Sequence, residues 1–188
     1  MPRSYCPRCA YPLRSCLCAA IRPTRFNTRI VVLQHPAEVK HATNTARLLA
    51  LVSPATEIVV GEAPNDFAAL RERLQDNRRA VVLYPAPDSE QLSDSVSIKP
   101  VDTIVLIDGT WRKAKKIWLS NPWLQSMRVC QLNTAASRYH IRRGKQPGGL
   151  ASIEAAAEAL NQLKESDTDA LLTAFAALQA KWPVSDHD

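Results

Sequence analysis

Four cysteines near the amino terminus have the type and spacing to hold a metal. Cys6, Cys9, Cys16 and Cys18 form the pattern C-x2-C-x6-C-x-C. Four thiolates satisfy a tetrahedral zinc ion, and loops this short let a small segment wrap one ion. The opening stretch, MPRSYCPRCAYPLRSCLC, has no apolar signal segment. The expected compartment is therefore the cytoplasm, where disulfides are disfavoured. Redox or incidental cysteines are the competing reading. A closed set of four ligands leaves no open position, so such a zinc is structural. Arg3, Arg8 and Arg14 sit in or beside this knuckle and suit either RNA contact or plain solvation. Cys130 stands alone on an apolar run and reads as a core residue.

The second group is IDGTW, residues 107–111. Asp108 ends the apolar run TIVLID, and Arg112, Lys113, Lys115 and Lys116 follow. One reading makes Asp108 the cap of a helix that starts near Thr110. The other places a carboxylate at a strand tip to accept a proton or orient a substrate N–H. Trp111 either packs in the core or stacks on a flat ring. In QHPAEVKHATNTARLL (34–49), His35 and Glu38 mark a strand end and a helix start. Glu38 there suits the helix dipole. Asn44 and Arg47, three apart and off the apolar stripe, are expected to face solvent or a ligand.

Three further segments stand out. LYPAPDSE (83–90) ends a strand at Tyr84 and Pro85, and its backbone could cradle an adenine. SRYHIRRGKQPGGL (137–150) gathers Arg138, Arg142, Arg143 and Lys145 around a tyrosine and a histidine. Aromatics interleaved with cations suit RNA, whose bases stack and whose phosphates pair with arginine. In LASIEAAAEAL (150–160), helix capping accounts for both Ser152 and Glu154.

These residues need a frame. Apolar runs at 29–35, 57–60, 80–84, 103–108 and 127–133 read as strands. Helical periodicity covers 38–52, 66–75, 111–119, 152–164 and 168–182. PAPDSEQLSD (85–94) reads as a polar loop, and 134–149 as another. Strands alternating with helices predict an α/β fold with a mostly parallel sheet. A boundary near residue 25 divides a cysteine knuckle (1–25) from the main domain (26–188). Ligands in such sheets bind beyond the carboxyl ends of the strands. The loops after Gln34, Leu83, Ile107 and Leu132 are therefore the candidates.

Charge and absent motifs narrow the function. Residues 1–50 and 101–150 each carry a net +7, while 51–100 carry −3 and 151–188 carry −5. Basic blocks that meet in space form a phosphate-attracting face. No stretch of about 18 apolar residues exists, so no membrane helix is expected. No dinucleotide fingerprint, P-loop or nucleophile elbow is present, which removes several common enzyme classes.

The chain resembles the DTW-domain family, the bacterial tRNA-uridine aminocarboxypropyltransferases. The matching pieces are CPRC and CLC, QHPAE with NTARLL, LYP, IDGTWRKA, LN with SRYHIRR, and LASIEA, in that order and across nearly the whole chain. The family's letters D, T and W fall on Asp108, Thr110 and Trp111. The resemblance implies a SPOUT-like fold, a knotted α/β sheet with flanking helices. It also implies transfer of the 3-amino-3-carboxypropyl arm of S-adenosylmethionine to N3 of a tRNA uridine. In bacterial members that uridine is position 47 of the variable loop. The products are acp3U and 5′-methylthioadenosine.

On this reading Asp108, Thr110 and Trp111 are the catalytic group. An enzyme selects one of the three carbons on a sulfonium by orientation. Partial desolvation raises an aspartate's proton affinity, which suits Asp108 as a base. Leu83, Tyr84, Pro85, Ile107, Gly109, Leu132, Asn133, Ser152 and Glu154 are the expected cofactor cradle. Arg47 or Arg138 would meet the carboxylate of the transferred arm. Arg47, Lys113, Lys115, Lys116, Arg138, Arg142, Arg143 and Lys145 are the expected RNA contacts. Zinc would be structural, tRNA the partner, and the protein a monomer with no obligate protein partner. The alternatives are a methyltransferase on the same fold, an aminocarboxypropyltransferase acting on ribosomal RNA, and a non-catalytic zinc RNA-binding module.

Overall fold

Continuous β-branched and apolar runs make the central strands, as expected for strands covered on both faces. The computed structural model describes residues 4–132 and 149–182. Its strands are β1 (Arg29–Gln34), β2 (Glu57–Val60), β3 (Ala80–Leu83), β4 (Glu90–Gln91), β5 (Thr103–Asp108) and β6 (Arg128–Gln131). Its α-helices are α1 (Thr45–Val52), α2 (Ala68–Leu74), α3 (Leu92–Ile98), α4 (Trp111–Ser120), α5 (Pro122–Gln125), α6 (Ser152–Gln162) and α7 (Asp169–Ala180). The six strands lie in the order β2-β1-β5-β3-β6-β4, and every pairing is parallel. Their carboxyl ends therefore share one edge of the sheet, where the sequence places its candidate loops.

Alternation along the strands fills two layers. Ile30, Val32, Val81, Ile104 and Cys130 pack with α1, α6 and α7. Val31, Leu33, Val82 and Val105 pack on the other face with α2, α4 and α5. Ile104 sits fully buried on the central strand. Truncating it to alanine would cost about 2–5 kcal/mol through lost burial and the cavity left behind. The cysteine segment joins the first layer. Tyr11 and Leu17 are buried in the same core as α1, α6 and α7.

Several expectations need correction. The helix read over 38–52 is a 3-10 turn at Pro36–Glu38 followed by a shorter α1. Asn44 is buried rather than facing out. Its side chain accepts the Arg47 N–H at 2.8 Å and so starts α1 afresh. The loop read over 85–94 contains β4 and the start of α3. Leu92 is fully buried there, and β4 adds an edge strand to β6. Ser152 is the first residue of α6 and Ala151 its N-cap, so the Ser152 hydroxyl does not cap the helix. It reaches another element instead. Beyond Asn121 the chain forms the single turn α5, with Pro122 at its start.

Candidate active site and metal centre

The four cysteines come together. A hairpin brings Tyr5 against Pro12, and the Cys6 N–H donates to the Tyr11 carbonyl at 2.8 Å. All four Sγ atoms lie within 4.8 Å of one another, and none is in a disulfide. Cys6 and Cys18 are 3.6 Å apart, and Cys9 and Cys16 are 3.8 Å apart. Tetrahedral zinc–thiolate bonds of about 2.3 Å put sulfurs roughly 3.8 Å apart, which these two pairs match. Backbone N–H groups of Cys9 and Arg8 pull the Cys6 thiol down to about 6. Burial and the neighbouring sulfurs push Cys18 up to about 12. A divalent cation at the centre would ionise all four.

Arg47 ties this knuckle to the main layer. Its guanidinium donates to the Ala10 carbonyl at 2.8 Å and to the Val39 carbonyl at 2.7 Å, and lies 5.0 Å from the Tyr11 ring centroid. The Tyr11 hydroxyl in turn donates to the Asn44 carbonyl.

A cleft of about 200 Å³ opens at the carboxyl ends of β3, β5 and β6, far larger than the voids of a close-packed interior. Leu83, Leu106, Ile107 and Leu132 give it apolar walls, and Trp111 stands at 38 % exposure on its lining. Tyr84 forms another wall. Its ring stacks on Trp118 of α4 at 4.4 Å and 13°, which locks both to the strand end. Burial raises the Tyr84 phenol above its ordinary value. Gly109 also lines the cleft, and a Cβ there would meet Lys113 Cβ at 3.0 Å and the Ala114 nitrogen at 3.4 Å. A side chain at this position would require the first turn of α4 to give by a few tenths of an ångström.

Asp108 and Thr110 are not among the residues that line the cleft, although Ile107 and Gly109 on either side of Asp108 are. Thr110 occupies the N-cap position of α4. The Asp108 carboxylate is held from two other elements. Gln34 Nε2 donates to Oδ2 at 2.7 Å from β1, and the Ser152 hydroxyl donates to Oδ1 from α6. Gln34 is 3 % exposed and reaches Asn44 Oδ1 at 3.3 Å with the same amide nitrogen. Two donors on two elements fix the plane of this carboxylate.

Two of the α4 lysines are tied to carboxylates. Lys113 pairs with buried Glu38 at 2.8 Å, and Lys116 with Glu62 at 2.7 Å. Glu62 also takes His35 Nε2 at 2.6 Å. The Ala37 N–H donates to His35 Nδ1, so the proton of a neutral ring sits on Nε2 and points at Glu62. Lys116 chiefly, and His35 after it, hold the Glu62 carboxyl below its ordinary value. Lys115 is exposed, with no ion pair among the described residues.

The DTW domain family matches residues 3–182. The chain belongs to that family. It is 36 % identical over 170 residues to tRNA-uridine aminocarboxypropyltransferase 2 of Drosophila melanogaster. Against the protein of the same name from Mus musculus it is 32 % identical over 174 residues, and against that of Macaca fascicularis 31 % over 174. These alignments take in 86–88 % of this chain, 67 % of the fly protein and 58 % of the mouse and macaque proteins. No solved structure matches.

Within the DTW domain, Leu83, Tyr84, Pro85, Ile107, Gly109, Leu132 and Ser152 all line the one cleft, as does Trp111. Glu154 does not line it: its buried carboxylate accepts the Ala151 N–H at 3.0 Å, which closes the start of α6. Asn133, Arg138, Arg142, Arg143 and Lys145 lie outside the described residues. Sequence reasoning missed Gln34, Glu62, Gln131 and the Tyr84–Trp118 stack. Gln34 had a signal, a lone amide closing an otherwise apolar strand next to His35. The stack had none, because it joins residues far apart in the chain.

Proposed function

We propose that the chain is a tRNA-uridine aminocarboxypropyltransferase that forms acp3U at N3, with position 47 of the variable loop as target. What carries the reading is similarity to curated relatives of that name across most of the chain, with Trp111 lining the cleft and Asp108 bonded to Ser152 of its lining. The cleft's chemistry fits S-adenosylmethionine. Apolar walls at Leu83, Leu106 and Ile107 suit a purine, and Gly109 keeps the turn free of a Cβ. Bound there, the donor supplies an electrophilic carbon on its aminocarboxypropyl arm, and the carbon–sulfur bond breaks as the carbon–N3 bond forms.

The chain's own residues orient and shield. Asp108 holds the uridine N3–H and takes its proton, while Gln34 and Ser152 keep the carboxylate in line. Trp111 gives the uracil a stacking face. Leu106, Ile107 and Leu132 keep water off the reacting atoms. Lys115 meets the RNA backbone, joined by Arg138, Arg142, Arg143 and Lys145. The four cysteines hold a structural zinc, and the fold is of the SPOUT-like knotted type. Mass spectrometry of tRNA nucleosides from cells with and without the chain tests the reaction. Loss of acp3U in the deletion supports it, and an unchanged acp3U level sinks it.

A further inference from the structure

A second, larger groove lies at the other end of the sheet, where β3 and β6 begin. It spans about 920 Å³ between the end of α2, the α5 turn and α3. Arg71, Arg78, Lys99 and Arg128 line it against the single carboxylate of Glu90. Arg128 is built in. Its Nε donates to Ser95 Oγ at 2.8 Å and its Nη1 to the Lys99 carbonyl at 3.2 Å, with Glu90 no nearer than 4.0 Å. Arg71, Arg78 and Lys99 are exposed and form no ion pair among the described residues. Their neighbours differ: Arg73 pairs with Glu57 at 2.6 Å and Arg79 with Asp102 at 3.2 Å. The dipole at the end of α2 favours a cation at Arg71, but it does not account for Arg78 and Lys99, whereas Arg128 is already held by Ser95, the Lys99 carbonyl and Glu90. Half-buried Trp123 lines the same groove and offers a flat face beside the cations.

Cations left bare along a groove, next to an aromatic ring, form the electrostatic footprint of a nucleic-acid backbone. We propose that this groove is a second RNA contact, gripping phosphates of a tRNA away from the uridine being modified. It rests on the reading that RNA is the substrate. Ala80 at the groove is level with Thr103, five residues before Asp108, and strands rise about 3.3 Å per residue, so the groove starts roughly 17 Å from Asp108 along the sheet, well within the reach of one folded RNA.

The test is the triple variant R71A/R78A/K99A, whose exposed positions leave the core intact. Binding to full-length tRNA and to a short stem-loop carrying the target uridine is followed by fluorescence anisotropy across salt. For tRNA, affinity should fall about tenfold near 0.1 M salt, and the slope of log affinity against log salt should shrink by about 2. Binding of the short stem-loop, and transfer to it, should stay as in the unsubstituted chain. An unchanged tRNA slope overturns the proposal. So does a variant that loses binding of inorganic phosphate while keeping its tRNA affinity, which would mark a small-anion site. If the slope shrinks but the unsubstituted chain modifies no RNA, the groove stands and the proposed reaction falls.

Discussion

Gln34 and Asp108 are register partners on adjoining parallel strands, and the Gln34 amide nitrogen lies 2.7 Å from Asp108 Oδ2. Both side chains stand at the last residue of their strand. The sheet itself therefore sets the distance between the carboxylate and the group that orients it. Replacing Gln34 by alanine should lower kcat by about tenfold or more, with little change in the KM for S-adenosylmethionine. Steady-state kinetics read the split. A change confined to KM would assign Gln34 to binding.

The cysteine set predicts one zinc per chain and a stability that depends on it. Exhaustive chelation should lower the melting temperature by at least about 5 °C, because the structural metal and the folding of its segment are one equilibrium. Elemental analysis and calorimetry together check this. A stoichiometric loss of zinc with an unmoved transition would refute it.

Arg47 was expected at the RNA, but its guanidinium is spent on the Ala10 and Val39 carbonyls and the Tyr11 ring. Arg47→Ala should destabilise the zinc-loaded protein by about 1–3 kcal/mol. At about 2–4 °C per kcal/mol for a chain of this size, a thermal melt resolves the effect. Weaker RNA binding with no drop in melting temperature would return Arg47 to the RNA face.

Acid should weaken the fold through Glu62 and Asp66. Lys116 and His35 hold Glu62 below its ordinary 4.5, and the Glu62 and Ala63 N–H groups hold Asp66 below 3.8. Because the folded values are depressed, this stabilisation is complete above the ordinary values and is lost as pH falls through the folded ones. Glu62→Gln should flatten the dependence of melting temperature on pH below about 4.5. An acid limb identical to that of the unsubstituted protein would contradict the assignment.

Gly109→Ala should cost about 1–3 kcal/mol and weaken donor binding, since the new methyl must push back the first turn of α4. Urea unfolding measures the first effect and equilibrium binding of S-adenosylmethionine the second. A variant as stable and as tight as the parent would show that the turn has slack.

Much of this was legible in the chain. The runs RIVVLQ, AVVL and TIVLID announced buried parallel strands, and their ends named the loops that form the cleft. The cysteine spacing announced its own cluster. What stayed hidden depends on pairing between distant segments. EQLSDSVSI looks polar, yet Leu92 and Ser95 turn inward against β6 and make a strand and a helix of it. Asn44 looked outward on a helical wheel, because its capping role exists only once the chain stops being helical before it. Ser152 looked like a cap and is instead a donor to Asp108, a fact fixed by how α6 leans on β5.

The bond between Tyr11 and the Asn44 carbonyl reaches further than the knuckle it leaves. Asn44 receives the Gln34 amide at 3.3 Å, and that same nitrogen grips Asp108. From cysteine loop to carboxylate runs a relay of hydrogen bonds through Tyr11, the backbone and side chain of Asn44, and Gln34, buried except at Asp108. The cysteine loop thus serves as ballast for the end of the sheet where Asp108 stands. Loosening that loop would slacken the hold on Asp108 without anything entering the cleft.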